Sequence, residues 1–440
     1  MYRTYFWEVI SKKMKSNGFE IAWIVQNHYF SPDAKEVIKI PYPKYTHLES
    51  SDSKNKSFSF IKSTDRIINY FDGSDSHYTY YHQEFAKALD DIKPDLVIGE
   101  STLFHELIII DICKRSNIPY LHPSSSSYPP KRFSFFQNDS KIPFGGEEKE
   151  FDSQEYDTYI DAISNRKIVP EYMQKQPERA KDTAFPKHKS FQDKANRIIA
   201  YIKGERFNTP SPLKKLREDK KVQHLLEQWN NISINLSNLP KNKKIILYPL
   251  QMQPEANLDV WGNKYRDQAA LLQDISKIIP ENWILVVKTN PKSKYEMTTA
   301  LLQVIESKEN VYALSASIPM KDIFLVSNLI ITVTGTIAIE AVLSNKPLAL
   351  FGQSVVSNTN GVEQILKYGQ LQLMIEKIEK NYFQLISLED KRKLIHKMFT
   401  TSYSGVISDP VSNPKCLNED NLALVENAFL DILKKLSLYK

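Results

Sequence analysis

Residues 329–351 read LIITVTGTIAIEAVLSNKPLALF, and this stretch decides the fold class. The β-branched apolar run at 329–333 predicts a buried strand, and the apolar run at 337–343 predicts a short helix. A further apolar run at 348–351 predicts the next strand. The order of strand, turn, helix and strand is typical of a parallel α/β sheet.

The same alternation extends along the chain on both sides of this stretch. In the second half, strands are predicted at 245–250, 283–288 and 311–314, and helices at 265–279, 294–307, 320–326 and 421–436. In the first half, strands are predicted at 21–26, 37–42, 95–99 and 118–121, and helices at 78–92 and 103–115. The chain is therefore predicted to hold two α/β halves. We expect ligands in the cleft between them, beyond the carboxyl ends of the strands.

Length and composition are those of a multidomain globular protein. The 440 residues correspond to two or three domains of roughly 150 residues each. The stretch 147–229 is polar with a helical pattern, and NNISINLSNLPKNKK at 230–244 is typical of a linker. We predict an N-terminal domain at 1–232, which includes the helical region 147–229, and a C-terminal domain at 233–440. The last helix, 421–436, can pack back on the first domain.

Composition excludes several classes of protein. A formal charge of +6 is too weak and too dispersed for a nucleic-acid-binding protein. Two cysteines exclude a disulfide framework and a cysteine-based zinc site. The histidines never fall into HxH or HExxH spacing, so no metal is expected. Without a leader-like apolar run or a membrane-length apolar stretch, a cytoplasmic location is predicted, with peripheral contact at the inner membrane left open.

Glycine-built phosphate loops are also missing from the sequence. The chain has 12 glycines and contains neither GxGxxG nor GxxxxGK[ST]. It also lacks an Asp-x-Asp triplet, the usual Mn²⁺ clamp of one glycosyltransferase fold class. Any nucleotide must therefore be held by other devices.

The turn at 334–336 is the first candidate ligand site. Thr334, Gly335 and Thr336 open the helix at 337–343, where free backbone N–H groups favour an anion, and Gly335 lets a phosphate approach closely. Glu340 lies one helical turn beyond Thr336, and its carboxylate could accept hydrogen bonds from ribose hydroxyls. The alternative is plain N-capping, with Glu340 a solvated side chain.

Polar residues also follow the strands at 245–250 and 283–288. Gln253 and Glu255 come after the first strand, where the Glu255 carboxylate could be a general base, a nucleophile or a stabiliser of an oxocarbenium ion. Lys288, Asn290 and Pro291 come at the end of the second, where Lys288 can pair with phosphate and Asn290 can donate to it. In both places an exposed proline turn is the alternative.

Three further candidates lie in the first half of the chain. Glu100 follows the strand at 95–99 and is a candidate acid or base, or a first-turn residue favoured by the helix dipole. His122 ends the strand at 118–121, and Arg132 follows it. The Arg132 guanidinium could clamp a carboxylate, and we assign both residues to an acceptor or sugar carboxylate. A solvated loop is the alternative.

Three segments together resemble the bacterial capsule polysaccharide biosynthesis family, whose members are GT-B-fold glycosyltransferases of surface glycan assembly. They are LYPLQMQPEANLD at 247–259, WILVVKTNP at 283–291 and IITVTGTIAIEAVLSNKPLALFG at 330–352. The similarity covers roughly residues 245–352 well and 96–123 loosely. It implies two Rossmann-like domains facing a central cleft, with a helical insertion and a closing C-terminal helix.

The resemblance also implies a chemistry. Related members transfer Kdo or similar 3-deoxy-ulosonic acids from a CMP-activated donor without a metal. The C-terminal half would bind the donor, and the N-terminal half a glycan or glycolipid acceptor. Glu255 would act at the anomeric centre and Glu100 would activate the acceptor, while the turn at 334–336 would hold the donor phosphate and Glu340 the ribose or base.

The sequence departs from the family at one motif. Where the family often has Lys-Glu-His-Pro, with the histidine meeting the donor phosphate, this chain has KTNP at 288–291. Asn290 can donate one hydrogen bond but cannot become cationic.

Our leading prediction is a metal-independent glycosyltransferase that transfers an acidic sugar from its CMP donor, with retention if Glu255 is a nucleophile. One alternative is a UDP-sugar glycosyltransferase or a CDP-polyol phosphotransferase of the same architecture. The other is a catalytically inactive assembly subunit.

Overall fold

The computed structural model describes residues 2–48, 56–170, 187–290, 292–410 and 413–439. The chain divides into two compact units. Unit 1 comprises Met1–Lys149, Val169–Lys215 and Met398–Lys440, and unit 2 comprises Glu150–Ile168 and Leu216–Lys397. The predicted α/β fold class is confirmed, because each unit combines a sheet containing parallel strand pairs with helices.

Twelve strands are present in the described residues. They are β1 (Trp23–Val25), β2 (Val37–Lys39), β3 (Val97–Ile98), β4 (Tyr120–Ser125), β5 (Arg132–Gln137), β6 (Lys244–Pro249), β7 (Trp283–Lys288), β8 (Val311–Leu314), β9 (Leu329–Thr332), β10 (Leu348–Leu350), β11 (Val362–Gln364) and β12 (Tyr403–Ser404).

The same residues form sixteen α-helices. They are α1 (Tyr2–Ser16), α2 (Lys56–Thr64), α3 (Arg66–Phe71), α4 (Tyr78–Ile92), α5 (Phe104–Ser116), α6 (Ser153–Ser164), α7 (Lys187–Ile202), α8 (Pro212–Ile232), α9 (Ala256–Asp259), α10 (Gln268–Ile278), α11 (Thr299–Ser307), α12 (Met320–Val326), α13 (Ile337–Leu343), α14 (Tyr368–Glu379), α15 (Leu388–Thr400) and α16 (Glu419–Lys435).

Unit 2 is built on one six-stranded parallel sheet with the order β11-β10-β9-β6-β7-β8. All six residues of β7 are buried, as expected for a parallel strand covered by helices on both faces. The first strand of the unit, β6, is central; β7 and β8 follow on one side, and β9 to β11 on the other. This is the doubly wound order, in which the direction of winding reverses between β6 and β9.

Unit 1 has two smaller sheets. β1 and β2 form a parallel pair, whereas the order β12-β5-β4-β3 describes a mixed sheet in which only β3 and β4 are parallel. The core of the unit gathers α1, α16, β5 and β12, where the rings of Phe135 and Phe429 pack edge to face at 4.9 Å. The last helix thus lies in unit 1.

The bounds of the two units differ from the predicted division at 232 and 233. Residues 230–244, predicted to be a linker, lie inside unit 2. The Trp229 indole is fully buried and donates to the Leu314 carbonyl at 3.2 Å, and the Ile234 N–H donates to the Ala313 carbonyl at 2.9 Å. The Ile234 contact attaches the segment to the β8 edge of the sheet, and the Trp229 contact attaches α8 to the same edge. The predicted helical region contains α6, α7 and α8, with 171–186 outside the described residues.

Candidate functional site at the carboxyl edge of the parallel sheet

The loops that follow β6 and β9 are joined by one side chain, Gln251. Its Nε2 donates to Thr332 Oγ1 and to the Thr334 carbonyl oxygen, both at 2.7 Å, and its Oε1 accepts from Thr334 Oγ1 at 3.1 Å. Thr334 Oγ1 also lies 3.3 Å from the Asn257 carbonyl oxygen. The structure thus brings residues 251–257, which include the candidates Gln253 and Glu255, together with the predicted turn at 334–336, at the point where the winding of the sheet reverses.

Gln253 is a buried support of the loop after β6. Its side chain is 4% exposed, and its Nε2 donates to Asp259 Oδ1 at 2.8 Å while its Oε1 accepts from Gln268 Nε2 at 3.3 Å. Its backbone N–H donates to Glu296 Oε2 at 3.0 Å. The predicted donor contact of Gln253 is not favoured, because both ends of its amide are occupied inside the protein.

Glu255 occupies a different environment. It is the residue before α9, is partly exposed, and its side chain does not cap that helix. The backbone is instead fixed, since the Glu255 carbonyl accepts from the Asp259 N–H at 2.8 Å. The predicted catalytic candidate Glu255 is thus a partly exposed residue on a fixed backbone, and its catalytic role stays a prediction.

Glu296 is a site residue that the sequence interpretation missed. Its carboxylate is 2% exposed and accepts from the backbone N–H groups of Gln253 and Lys294, each at 3.0 Å. Burial raises its pKa. No local pattern marks this residue, because its partner Gln253 is distant along the chain. Glu296 therefore positions the loop that carries Glu255.

The turn after β9 is open at Gly335. This glycine is exposed with φ +94°, and a Cβ added there would meet only Gln251 Nε2, at 3.9 Å, among the described residues. Thr336 is 5% exposed and does not cap α13 with its side chain. The N-capping alternative is therefore not what the structure has at Thr336, and backbone groups border open space at Gly335.

The segment after β7 is less suited to its predicted contacts. Lys288 is 4% exposed, and its Nζ donates to the Ser315 and Ala316 carbonyls at 3.1 Å each, while burial lowers its pKa. Asn290 Oδ1 accepts from the Lys292 N–H at 2.9 Å, which is the turn alternative. Pro291 lies outside the described residues. The structure thus favours a role for Lys288 in holding the segment at 315–316, and a role for Asn290 in stabilising the turn after β7.

Glu340 is buried rather than solvated. Its side chain is 2% exposed, and its Oε2 accepts from Arg166 Nη2, which comes from the segment just after α6. The guanidinium of Arg166 also lies over the Phe324 ring, 5.8 Å from its centroid. The predicted ribose contact of Glu340 is not favoured, because a cation of the protein already neutralises its carboxylate.

Arg132 is buried and forms hydrogen bonds within unit 1, in contrast to its predicted contact with a substrate carboxylate. At the start of β5 it is 5% exposed, and its guanidinium donates to Ser402 Oγ at 2.7 Å, to Ser404 Oγ at 2.8 Å and to Glu147 Oε2 at 2.8 Å. Burial acts to raise the pKa of Glu147, but hydrogen bonds from the Ser404 N–H and Arg132 outweigh it and lower that pKa. The guanidinium joins β5 to β12, so the structure does not favour the predicted clamp on a substrate carboxylate.

His122 is also part of the sheet interior. It is 2% exposed on β4, its Nδ1 lies 2.6 Å from the Asn138 carbonyl oxygen, and its ring stacks on Phe136 at 5.4 Å. Burial lowers its pKa to about 4, so the ring is neutral near pH 7. A neutral, buried imidazole does not suit the predicted carboxylate contact.

In unit 1, Glu100 follows β3 by one glycine and is partly exposed, with its backbone carbonyl accepting from the Tyr120 hydroxyl at 2.5 Å.

The sequence interpretation missed a buried polar cluster elsewhere in this unit. Glu205 is fully buried and accepts from Gln26 Nε2 at 3.1 Å and from the Asn208 N–H at 2.8 Å. Asn208 Nδ2 lies 3.0 Å from His105 Nδ1. Gln26 is the last residue of the strand predicted at 21–26, and it directly follows the observed β1.

Within the described ranges, no three His, Cys, Asp or Glu side chains gather into a group that could hold a metal ion. None of the helices in those ranges is both long enough and apolar enough to cross a bilayer.

These features define a doubly wound α/β domain with polar loops on both sides of its switch point. The chain belongs to the capsule polysaccharide biosynthesis protein family, whose model matches residues 155–384, more than half of the 440 residues. The predicted family is confirmed. No curated protein sequence matches the chain.

Distant similarities to solved structures are also found. The KpsC β-Kdo 2,7 transferase of Thermosulfurimonas dismutans is 12% identical with a TM-score of 0.36, over 80% of this chain and 89% of that one. The KpsC β-Kdo 2,4 transferase of the same organism is 9% identical with a TM-score of 0.34, over 68% and 78%. The UDP-GlcNAc 2-epimerase of Methanocaldococcus jannaschii is 11% identical with a TM-score of 0.27, over 88% and 94%. Similarities at this level assign no activity, donor or acceptor to the present chain.

Proposed function

We propose that the protein is a glycosyltransferase of capsule or surface polysaccharide synthesis, and that it binds a nucleotide-sugar donor at the β6–β9 switch point of unit 2. The observation that carries the proposal is the junction made by Gln251, which ties the loops after β6 and β9 together where ligands of doubly wound sheets bind. Membership of the capsule polysaccharide biosynthesis family supports the same function.

The finer proposal is a CMP-linked 3-deoxy-ulosonic acid as donor, a glycan or glycolipid as acceptor, a cytoplasmic location and no metal requirement. The exposed backbone at Gly335 would meet the donor phosphate, because a Cβ placed there would meet no atom of the described residues closer than Gln251 Nε2 at 3.9 Å. The partly exposed Glu255 would face the anomeric carbon from the neighbouring loop. Gln253, Thr334 and Glu296 would hold these two loops in place.

In the proposed reaction, the Glu255 carboxylate attacks the anomeric carbon while the bond from that carbon to the CMP phosphate oxygen breaks, and CMP leaves. An acceptor hydroxyl then attacks the same carbon, the ester bond to Glu255 breaks, and the hydroxyl proton passes to a base, for which Glu100 is our candidate. Two successive displacements retain the configuration of the donor.

A thermal-shift titration with CMP, CDP, UMP, UDP and GDP is the first test, because a ligand that binds only the native state raises the unfolding midpoint. A shift with CMP alone supports the CMP donor, and this shift should persist in EDTA. A shift with UDP or CDP alone contradicts that donor while keeping the nucleotide site. No shift with any of the five contradicts the proposed site and favours an assembly subunit.

The role of Glu255 is tested by Glu255→Gln, with Glu306→Gln at an exposed position of α11 as the matched control. We expect Glu255→Gln to lower sugar transfer at least about 10³-fold, as the loss of a nucleophile does, with CMP affinity unchanged. The control should transfer normally. Loss of CMP binding together with activity would instead make Glu255 a structural or binding residue.

A further inference from the structure

The second half of α7, in unit 1, carries large apolar side chains on its outer face. Ile198, Ile199 and Ile202 are 51%, 40% and 67% exposed. Residues three and four apart on a helix are neighbours, so these three side chains form one patch, here called the isoleucine patch. An apolar helix face that is turned to solvent is the reverse of the usual arrangement in a globular protein.

The opposite face of α7 is the one that packs on unit 1. Ala200 is fully buried, and Asn196, one turn earlier, donates to the Tyr29 carbonyl at 3.5 Å. At about 100° per residue, Ile198 and Ile202 lie nearly opposite Ala200 around the helix. The small residue therefore faces the protein, and the large apolar residues face outward.

Every exposed charge along residues 195–215 is positive. The exposed cations of this stretch are Arg197, Lys203, Arg206, Lys214 and Lys215. Its one acidic residue, Glu205, is fully buried and accepts from Gln26 and from the Asn208 N–H within unit 1. The start of α8 has the same combination of apolar and basic side chains, since Leu213 is 79% exposed directly before two of the lysines.

We propose that the isoleucine patch and the cations beside it dock the protein on an anionic lipid bilayer. Isoleucine side chains leave water when they enter the boundary between headgroups and acyl chains, while lysine and arginine stay among the headgroups and attract lipid phosphates. A helix that lies in the interface needs this combination, and it needs neither the length nor the hydropathy of a helix that spans a membrane. The inference concerns unit 1 and goes beyond the nucleotide site proposed in unit 2.

A second copy of the chain fits this surface less well than a bilayer does. In a two-fold symmetric dimer the same patch would face itself. Arg197 and Lys203, which flank the three isoleucines in the sequence, would then meet the same cations of the other copy. Like charges brought together across an interface oppose association, whereas the phosphates of anionic lipids offset them.

The test is co-sedimentation with vesicles of equal parts phosphatidylglycerol and phosphatidylcholine, and with vesicles of phosphatidylcholine alone. We expect the wild type to bind the anionic vesicles and to be released as the salt concentration rises. The double variant Ile198→Ser and Ile202→Ser should bind at least about tenfold more weakly, because several methyl and methylene groups no longer enter the bilayer. The control is Ile142→Ser with Leu424→Ser, at apolar positions of unit 1 that are 61% and 44% exposed, and it should bind like the wild type.

The contribution of charge is tested with a triple variant, Arg197→Gln, Lys203→Gln and Arg206→Gln. It should weaken binding about 100-fold, at about fivefold for each basic residue near the lipid surface. The control removes the same charge from exposed lysines elsewhere in the chain, Lys12→Gln, Lys321→Gln and Lys380→Gln. This control should change vesicle binding much less.

Three results would overturn the docking surface: no binding of the wild type to anionic vesicles, equal binding to vesicles of phosphatidylcholine alone, or equal losses in the variants and their controls. Self-association that the isoleucine variant abolishes, without vesicle binding, would assign the patch to a second copy instead. Circular dichroism identifies misfolding, and the charge variant provides the decision if the isoleucine variant fails to fold. Vesicle binding is measured without nucleotide, so its failure leaves the proposed donor site standing, and failure of CMP binding leaves the docking surface standing.

Discussion

Replacing Gln251 by alanine tests the junction on which the proposed function depends. The change removes two hydrogen bonds donated by Nε2 and one accepted by Oε1, which join the loop after β6 to the last residue of β9 and to the turn that follows it. The groups left behind keep other contacts, since the Thr334 carbonyl still accepts from Thr332 Oγ1 at 2.5 Å and Thr334 Oγ1 still lies near the Asn257 carbonyl. No buried group is therefore stranded by the change.

This limits the expected cost in stability. At a net 0.5–1.5 kcal/mol for each hydrogen bond, and with the remaining contacts compensating in part, we expect the free energy of unfolding to fall by about 1–2 kcal/mol. If the same free energy organises the loops for the ligand, nucleotide affinity falls by about 5- to 30-fold. Urea unfolding gives the first quantity and calorimetric titration with CMP the second.

Gln303→Ala, at an exposed position of α11, is the matched control and should change neither quantity. The reasoning would be refuted if Gln251→Ala kept both its free energy of unfolding and its CMP affinity. A loss of stability with unchanged affinity would show that the junction supports the fold but does not organise the ligand site.

Two further predictions concern buried charge. Arg166→Ala removes the cationic partner of buried Glu340 and should lower the free energy of unfolding by about 3–5 kcal/mol. The control Lys167→Ala removes one member of an exposed pair with Asp161 and should lower it by less than about 1 kcal/mol. Equal losses of stability for the two variants in urea unfolding would contradict the prediction. Burial lowers the pKa of His77 to about 3, so below about pH 6.5 the unfolded chain binds a proton that the folded protein does not, and stability is lost as the pH falls. His77→Phe should therefore gain about 1.4 kcal/mol relative to wild type for each pH unit between 6 and 4, and parallel unfolding profiles of the two proteins would exclude this linkage.

Much of the fold of unit 2 was predictable from the sequence. β7, β8, α12 and α13 have the predicted bounds. β7, β8 and α13 are short, mostly apolar runs, and α12 begins directly after Pro319. β6 is shifted by one residue at both ends from the predicted 245–250, and β9 ends one residue earlier than predicted. In a parallel sheet buried on both faces, the pattern along the chain carries most of the information about the strand.

Unit 1 was harder to predict for the opposite reason. β5 was not predicted, because Arg132 at its start reads as a solvated loop, yet β5 pairs with β4 on one side and with β12 from the far end of the chain on the other. The acceptors that bury Arg132 include Ser402 and Ser404. Such nonlocal partners leave no mark in a local pattern.

The residues of the candidate site also differ in how far the sequence could predict them. The sequence by itself determined the α/β class, the family resemblance, and the polar segments that follow β6 and β9, because strand periodicity and turn residues are local properties. Only the tertiary structure decided which polar residues are available to a ligand. Lys288, Glu340 and Arg132 are buried against partners distant in sequence, whereas Glu255 and Gly335 are not buried, and burial depends on how the chain packs.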